Sequence, residues 1–235
     1  MVYPSTSMTQ TETLLSLKVS RMYRHPVRPN LDPMNISHPS NRVLFSTEGL
    51  RAYELDASDV ATLQSFFTAN PEFFISVCGM PPREDEAQRK FDDRPPQGMP
   101  FEKLWIIGFT DDSERLVGMA SVLSNFLAEH VWHIGLFIVE TPMHGTGKAG
   151  QMYRHLQDWM KLNGARWIRL GAVVGNAKAE RFWEKLGYTE VRRRTGVQTG
   201  NLTSTIRVFV KALGGGTLGE YLQLVERDRP ESLLP

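Results

Sequence analysis

Cysteine is almost missing from this chain. Cys78 is the single one in 235 residues, which excludes an internal disulfide and any metal site built from several thiolates. No metal is expected, and the sparse cysteine fits a reducing compartment, so a cytoplasmic location is expected. An excess of charge is missing too. With 27 basic and 26 acidic residues the formal net charge is +1, and no whole-surface field argues for nucleic acid or an anionic membrane as partner. A long apolar run is the third absence. The most apolar stretch, Val131 to Val139, is interrupted by His133 and falls short of the roughly 20 residues of a spanning helix. The opening MVYPSTSMTQ lacks the basic start and apolar run of a secretory signal, and the basic-only stretch from Lys18 to Arg28 keeps an organellar presequence as a minor alternative.

What is present divides into three parts. Residues 1–45 carry Pro4, Pro26, Pro29, Pro33 and Pro39 among Ser, Thr and Asn, the composition of a flexible extension. Residues 46–213 form a catalytic domain, and 214–235 a tail opened by three glycines, with Leu218, Tyr221, Leu222 and Val225 on one helical stripe. That stripe is expected to dock on the core or on a second subunit, a homodimer being the second outcome. Within the domain, LRAYEL alternates like a strand and DVATLQSFFTAN reads as an amphipathic helix. Pro71 opens a second helix that Pro81 and Pro82 end, and EDEAQRKFDD a short exposed one. KLWIIGFT and RLVGMASVL read as a hairpin around DDSE, followed by the strand VWHIGLFIV. KAGQMYRHLQDWMKLNG is the best-marked helix, with Met152, Leu156, Trp159 and Met160 at helical spacing before the stop signal Asn163-Gly164. A buried strand WIRLGAVV, a helix NAKAERFWEKLG and a closing antiparallel pair complete the order.

The chemistry-bearing stretch is VWHIGLFIVETPMHGTGKAGQMY, a buried strand running into a glycine-rich loop that opens a long helix. Free N–H groups and a partial positive charge collect at a helix N-terminus, so Gly145, Gly147 and Ala149 let a pyrophosphate come close. A nucleotide-triphosphate loop is excluded because Pro142 stands where its first glycine belongs and Ala149 where its Ser or Thr belongs. A dinucleotide fold is excluded by the lateness of the loop and its wrong glycine spacing.

A companion segment, GNAKAERFWEKLGY, follows about thirty residues later. Together the two resemble the signature motifs of the GNAT superfamily of N-acetyltransferases. Its first motif, Q/R-x-x-G-x-G/A, is similar to His144, Gly145, Thr146, Gly147, Lys148 and Ala149, with histidine in the first place. Its second, N-x-x-A-x-x-F-(Y/W)-x-x-x-G-(F/Y), is similar to Asn176, Ala179, Phe182, Trp183, Gly187 and Tyr188. The resemblance implies an α/β (α+β) fold: a mixed, mostly antiparallel twisted sheet flanked by helices and splayed between its fourth and fifth strands, here VWHIGLFIV and WIRLGAVV. It implies acetyl-CoA as cosubstrate. Ile138 and Val139 would pair with its pantetheine through their backbones, residues 144–149 would hold its pyrophosphate, Asn176 would bond the pantetheine arm, and Phe182 and Trp183 would pack near the thioester unless they are ordinary core aromatics.

Acetyl transfer to an amine needs a free lone pair more than it needs an acid. A lysine-like amine of pKa about 10.4 costs about 4 kcal/mol to deprotonate at neutral pH, whereas a thiol leaves near 8.5. The Val139 N–H would polarise the thioester carbonyl. His133, six positions earlier, stands at an offset where some amine-acetylating relatives carry a proton-relaying histidine; Glu140, at the strand mouth, is the second candidate base. Trp183 replaces a tyrosine that many members propose as the acid, which leaves Tyr188, a water or no residue for that role. Arg192, Arg193 and Arg194 could reach a ribose phosphate or form a solvated strand end. The expected function is acetylation of a primary amine on a small molecule (amino acid, polyamine or aminoglycoside-like), with a protein or peptide N-acetyltransferase and a non-catalytic acyl-CoA-binding sensor as alternatives.

Overall fold

The computed structural model describes residues 42–234. The extension expected over residues 1–45 lies, apart from 42–45, outside the described residues. Eight strands form one sheet in the order β1-β2-β3-β4-β5-β6-β8-β7: β1 (Val43–Thr47), β2 (Leu50–Glu54), β3 (Lys103–Thr110), β4 (Leu116–Ser124), β5 (Val131–Val139), β6 (Trp167–Val173), β7 (Thr189–Thr199) and β8 (Leu202–Ala212). Helices α1 (Val60–Ala69), α2 (Glu72–Cys78) and α3 (Glu86–Asp92) lie between β2 and β3. Next come α4 (Lys148–Leu162) and α5 (Ala177–Lys185), which flank β6, and α6 (Leu218–Leu224) after β8. Every neighbouring pair is antiparallel except β5 and β6, because α4 carries the chain back to start β6 in the direction of β5. The expected mixed, mostly antiparallel sheet flanked by helices is the one that forms. Strand β1, whose five residues show no clean alternation, was not anticipated, so the pair expected as fourth and fifth is β5 and β6.

Local chemistry explains most element ends. In the β3–β4 turn the Asp111 carboxylate accepts from the Ser113 and Arg115 N–H groups at 3.0 and 3.1 Å. Helix α2 stops at Gly79, whose φ of +71° lets its N–H reach the Ile75 carbonyl, so a left-handed glycine ends the helix before Pro81 and Pro82 come into play. Helix α3 is not merely exposed: Ala87 is fully buried, and its N–H donates to the Gln64 side chain on α1.

Two apolar layers cover the sheet. Trp132, Ile134 and Val139 of β5 pack with Tyr153, Leu156 and Trp183 of α4 and α5, whereas Leu136 and Ile138 pack with Phe66, Phe67 and Phe74 of α1 and α2. Strand side chains alternate strictly, so Ile134 and Leu136 ought to share a face. They do not, because the β4 register steps directly from Leu136 to Ile134 and leaves Gly135 as the extra residue of a bulge. The tail docks on its own sheet: Tyr221 and Val225 bury against Val131, Trp167 and Val210, with Leu218 and Leu222 packed alongside. No helix of the described residues is long and apolar enough to cross a membrane.

The tail is locked by one buried carboxylate. Asp228, with no exposed surface, accepts from Arg169 Nε at 2.6 Å, Arg169 Nη2 at 3.1 Å and the Tyr221 hydroxyl at 2.5 Å. Burial pulls the Asp228 pKa upward, but the Arg169 hydrogen bonds and charge outweigh it and hold the group below the usual carboxylate range. Removing one partner of such a pair costs about 3–5 kcal/mol, so Asp228→Ala should lower the urea midpoint far more than Glu226→Ala, an exposed neighbour; equal shifts would remove the pair from the account. Because the folded-state pKa is depressed, this stabilisation is complete above about pH 4 and disappears as pH falls below that value, in wild type but not in Asp228→Ala.

Candidate functional site

Pairing between β5 and β6 ends early. It runs from Val131↔Trp167 to Ile134↔Leu170 and no further, although β5 stays paired to β4 as far as Val139 and β6 to β8 as far as Val173. The first residues past the last pair are Gly135 and Gly171, both exposed. A Cβ on Gly171 would stand 2.9 Å from Ile206, so that position has no room for a side chain. The two strands therefore diverge from a vertex floored by glycine, leaving one edge of β5 unpaired inside the sheet.

Which backbone groups face this gap follows from alternation. The Glu140 N–H donates to Val117 on β4 at 3.0 Å, and the Ile138 carbonyl lies 3.1 Å from where a Cβ on Gly118 would sit, again on β4. Peptide groups of successive residues point to opposite edges of a strand, so Phe137 and Val139 face the gap. Ile138, for which pairing at the gap was expected, turns its backbone groups to β4 instead.

At the open end of β5, a short 3₁₀ turn, Thr141–Met143, leads to Gly145 and Gly147, with φ of +76° and +85°, and Gly147 caps α4. A side chain is disfavoured at both angles, and a Cβ at either position would meet nothing within 4 Å. Among the described residues no hydrogen bond is made by the N–H groups of Gly145, Gly147, Ala149 or Gly150. Thr146 braces the loop, its hydroxyl donating to the Met143 carbonyl at 2.8 Å, and Lys148 is exposed at the rim. Four free donors at the positive end of a 15-residue helix, open to solvent, make a cradle for a phosphate.

Other expected residues are placed differently. His144 points back, its Nε2–H donating to the Val139 carbonyl at 3.0 Å, so it braces the strand end instead of the cradle. Asn176 caps α5 by accepting from the Ala179 N–H at 3.2 Å, which leaves only its NH₂ for the gap. Phe182 stacks on Phe137, ring centroids 6.1 Å apart, and so walls the gap. Trp183 is a core residue set edge-on to Tyr153 and Tyr188. The Tyr188 hydroxyl pairs with that of Tyr153 at 2.8 Å. Burial pushes both phenols above their usual range, and Tyr188 is buried in the core.

Both candidate bases are engaged by neighbouring side chains. Glu140 is held by both Nη atoms of Arg115, with its side chain only 12% exposed. His133 lies on the paired side of the vertex, stacked on Phe126 at 4.8 Å, its Nδ1 3.3 Å from the Arg169 guanidinium. Burial, and then the Arg169 cation, push its imidazole down to about 3. Taking a proton from an amine of pKa about 10.4 would then be uphill by on the order of 10 kcal/mol. Arg192 and Arg194, both half-buried, are turned to the tail: they donate to the carbonyls of Ser232 and Arg227 at 2.6 and 2.8 Å.

Two features carried no sequence signal. Asn70, buried between α1 and α2, accepts from the Thr141 N–H at 2.9 Å and donates to the Phe66 carbonyl at 2.9 Å, clamping the helical layer to the root of the cradle. The β7–β8 hairpin tip presses on α2, with the Asn201 N–H donating to the Cys78 carbonyl at 2.9 Å.

Comparison with known proteins agrees with this geometry. A model of the acetyltransferase (GNAT) family matches residues 63–188, more than half of the chain. No curated protein matches the sequence. Among solved structures, an acetyltransferase from Thermus thermophilus is 18% identical with a TM-score of 0.55, covering 70% of this chain and 97% of its own. Spermidine N-acetyltransferase from Vibrio cholerae, in complex with CoA and spermine, is 14% identical with a TM-score of 0.55, covering 70% and 95%. The ribosomal-protein-S18-alanine N-acetyltransferase from Escherichia coli is 15% identical with a TM-score of 0.53, covering 72% and 96%. At these identities the likeness is one of fold, and the three titles do not agree on an acceptor.

The hairpin contact can be tested through two glycines. Gly200 and Gly196 both have positive φ, but a Cβ on Gly200 would stand 2.7 Å from Cys78 whereas one on Gly196 would meet nothing. Gly196→Ala should cost only the backbone strain, about 1 kcal/mol, and Gly200→Ala a further 1–3 kcal/mol or so of overpacking. Urea midpoints compare them, and equal losses would mean that the tip does not bear on α2.

Proposed function

Because the chain belongs to the GNAT acetyltransferase family and so is an enzyme that transfers acetyl groups, we propose that it moves acetyl from acetyl-CoA to a primary amine on a small molecule, by direct attack within a ternary complex. The observation that carries this reading is the early end of β5–β6 pairing, which leaves Phe137 and Val139 facing a gap that opens onto the glycine cradle. An extended pantetheine arm would complete the edge of β5 as another strand would. The pyrophosphate would take the free N–H groups of Gly145, Gly147, Ala149 and Gly150, with Lys148 at the rim, and the Asn176 NH₂ would meet the arm from the β6 side. When bound, acetyl-CoA supplies an activated thioester carbonyl and a thiol leaving group.

The chain's own part in the reaction is positioning. Val139 offers a fixed N–H donor to the thioester carbonyl oxygen, which stabilises developing negative charge without reorganising, while the Phe137 backbone, about 7 Å back along the strand, faces the pantetheine arm. With Glu140 tied to Arg115 and His133 buried on the paired side of the vertex against Phe126 and the Arg169 cation, which lower its basicity, proton removal from the ammonium falls to water at the open end of the gap. A thiol leaving near 8.5 needs no strong acid.

Calorimetric titration with acetyl-CoA and a thiol-release assay over a panel of amines test this proposal. Wild type should bind and turn over, and Gly147→Glu, which places a carboxylate in the cradle, should do neither while keeping its circular dichroism spectrum; a wild type that binds no acetyl-CoA would sink the proposal. The pH profile tests the missing base. The kcat/KM should rise tenfold per pH unit up to the pKa of the amine itself, with no break between pH 5 and 8, and a break near 6.5 that vanishes in His133→Gln would restore His133 as the base.

A further inference from the structure

Beside the gap runs a second opening, which shares only Asn176 with the residues assigned to the acetyl donor. It is a groove of about 650 Å³ bounded by Ser76 on α2, by residues 173–178 from the end of β6 into α5, and by residues 202–205 at the start of β8. The size falls within the range of small-molecule pockets, about 300–1,000 Å³. No residue of β5 or of the 141–150 loop lines it, so it lies alongside the donor cleft. The two meet on β6, where Val173 is two residues past Gly171 on the same face, about 7 Å along the strand.

Three properties of this groove discriminate among amines. Its rim is apolar. Ile75, Val174 and Leu202 are 53%, 41% and 40% exposed, an unfavourable state for large apolar side chains, and they come from three separate elements. Val174 and Leu202 line the groove; Ile75 sits one helical turn before Gly79, against which Leu202 packs so closely that a Cβ there would stand 2.8 Å from it. The wall behind the rim is neutral and polar, made of the hydroxyl residues Ser76, Thr203, Ser204 and Thr205. Among the described residues Lys178 is the one charged residue that lines the groove and no carboxylate lines it; Glu72, near Lys178, accepts from the Thr141 hydroxyl.

Resting on the acetyl-transfer reading, we infer that this groove admits the acceptor, and that the acceptor is a small primary amine with an uncharged, partly apolar body. A polyamine brings two or more ammonium groups to a wall that offers a lysine and no carboxylate, so each extra charge is desolvated without a partner. An apolar body instead covers the exposed rim, and the hydroxyls receive its polar atoms.

Thiol-release rates at saturating acetyl-CoA, for 2-phenylethylamine, spermidine and a lysine-rich peptide, test this inference on the full chain. Wild type should prefer 2-phenylethylamine by kcat/KM. Leu202→Glu, at an exposed position, should lose about tenfold on that amine while its calorimetric affinity for acetyl-CoA stays unchanged. Lys178→Glu should shift the preference toward spermidine. Preference of the wild type for spermidine or the peptide, or indifference of 2-phenylethylamine turnover to Leu202→Glu, would overturn the inference while leaving acetyl transfer intact. Absence of acetyl-CoA binding, or of thiol release with every amine, would instead take down the acetyl-transfer reading and this inference together.

Discussion

The structure turns on a parallel strand pair that stops being a pair. Four residues of β5 bond to β6 and five do not, in the middle of a sheet where backbone N–H and C=O groups normally find partners. Everything around the gap keeps it from closing. Strand β8 holds β6 from the far side, β4 holds β5, and the bulge at Gly135 rotates the remaining residues so that Leu136 and Ile138 anchor into the α1–α2 layer. Each strand is fixed by its other neighbour, and neither is free to zip onto the other. The unpaired edge that results is a liability in most sheets and, in the proposed reading, the edge that the pantetheine arm completes.

The tail and the vertex are mechanically joined. Arg169 lies opposite His133 in the last stretch of β5–β6 pairing, and its guanidinium is neutralised by Asp228, which the chain delivers only after β8 and α6. Without that carboxylate a cation would be buried at the point where the two strands part. The C-terminal segment thus supplies the counter-charge for a cation one residue short of the last β5–β6 pair.

Much of this was legible in the sequence, and the reason differs by element. Helix α4 announces itself because five buried residues, Met152 to Met160, fall on one stripe and the helix ends at Asn163-Gly164. The cradle is legible because positive φ demands glycine, and glycine can be read directly. Strand β1 gives no such sign: a five-residue edge strand with half-buried side chains has neither alternation nor a continuous apolar run. The bulge at Gly135 was equally silent, since one inserted residue leaves the apolar run VWHIGLFIV unbroken while reversing which side chains face which layer. That reversal, together with the edge each peptide group faces, is why Phe137 and not Ile138 turns to the gap.

The surroundings of the candidate bases were hidden for a related reason. His133 lies on β5 and Glu140 just past its end, as expected, but what a titratable group can do is set by partners distant in sequence: Arg169 for one, Arg115 for the other. A contact made 25 or 36 residues away leaves no local pattern. The same asymmetry separates the two halves of the site. In the proposed reading the donor is held by backbone, so its residues are recognisable through the glycines that backbone geometry requires, whereas the acceptor would meet side chains gathered from α2, the β6–α5 loop and β8, none of which is constrained by its neighbours in sequence. Specificity for the amine can therefore change by single substitutions on that rim without disturbing the cradle, which is the physical reason one acetyl-donor architecture can serve unlike acceptors.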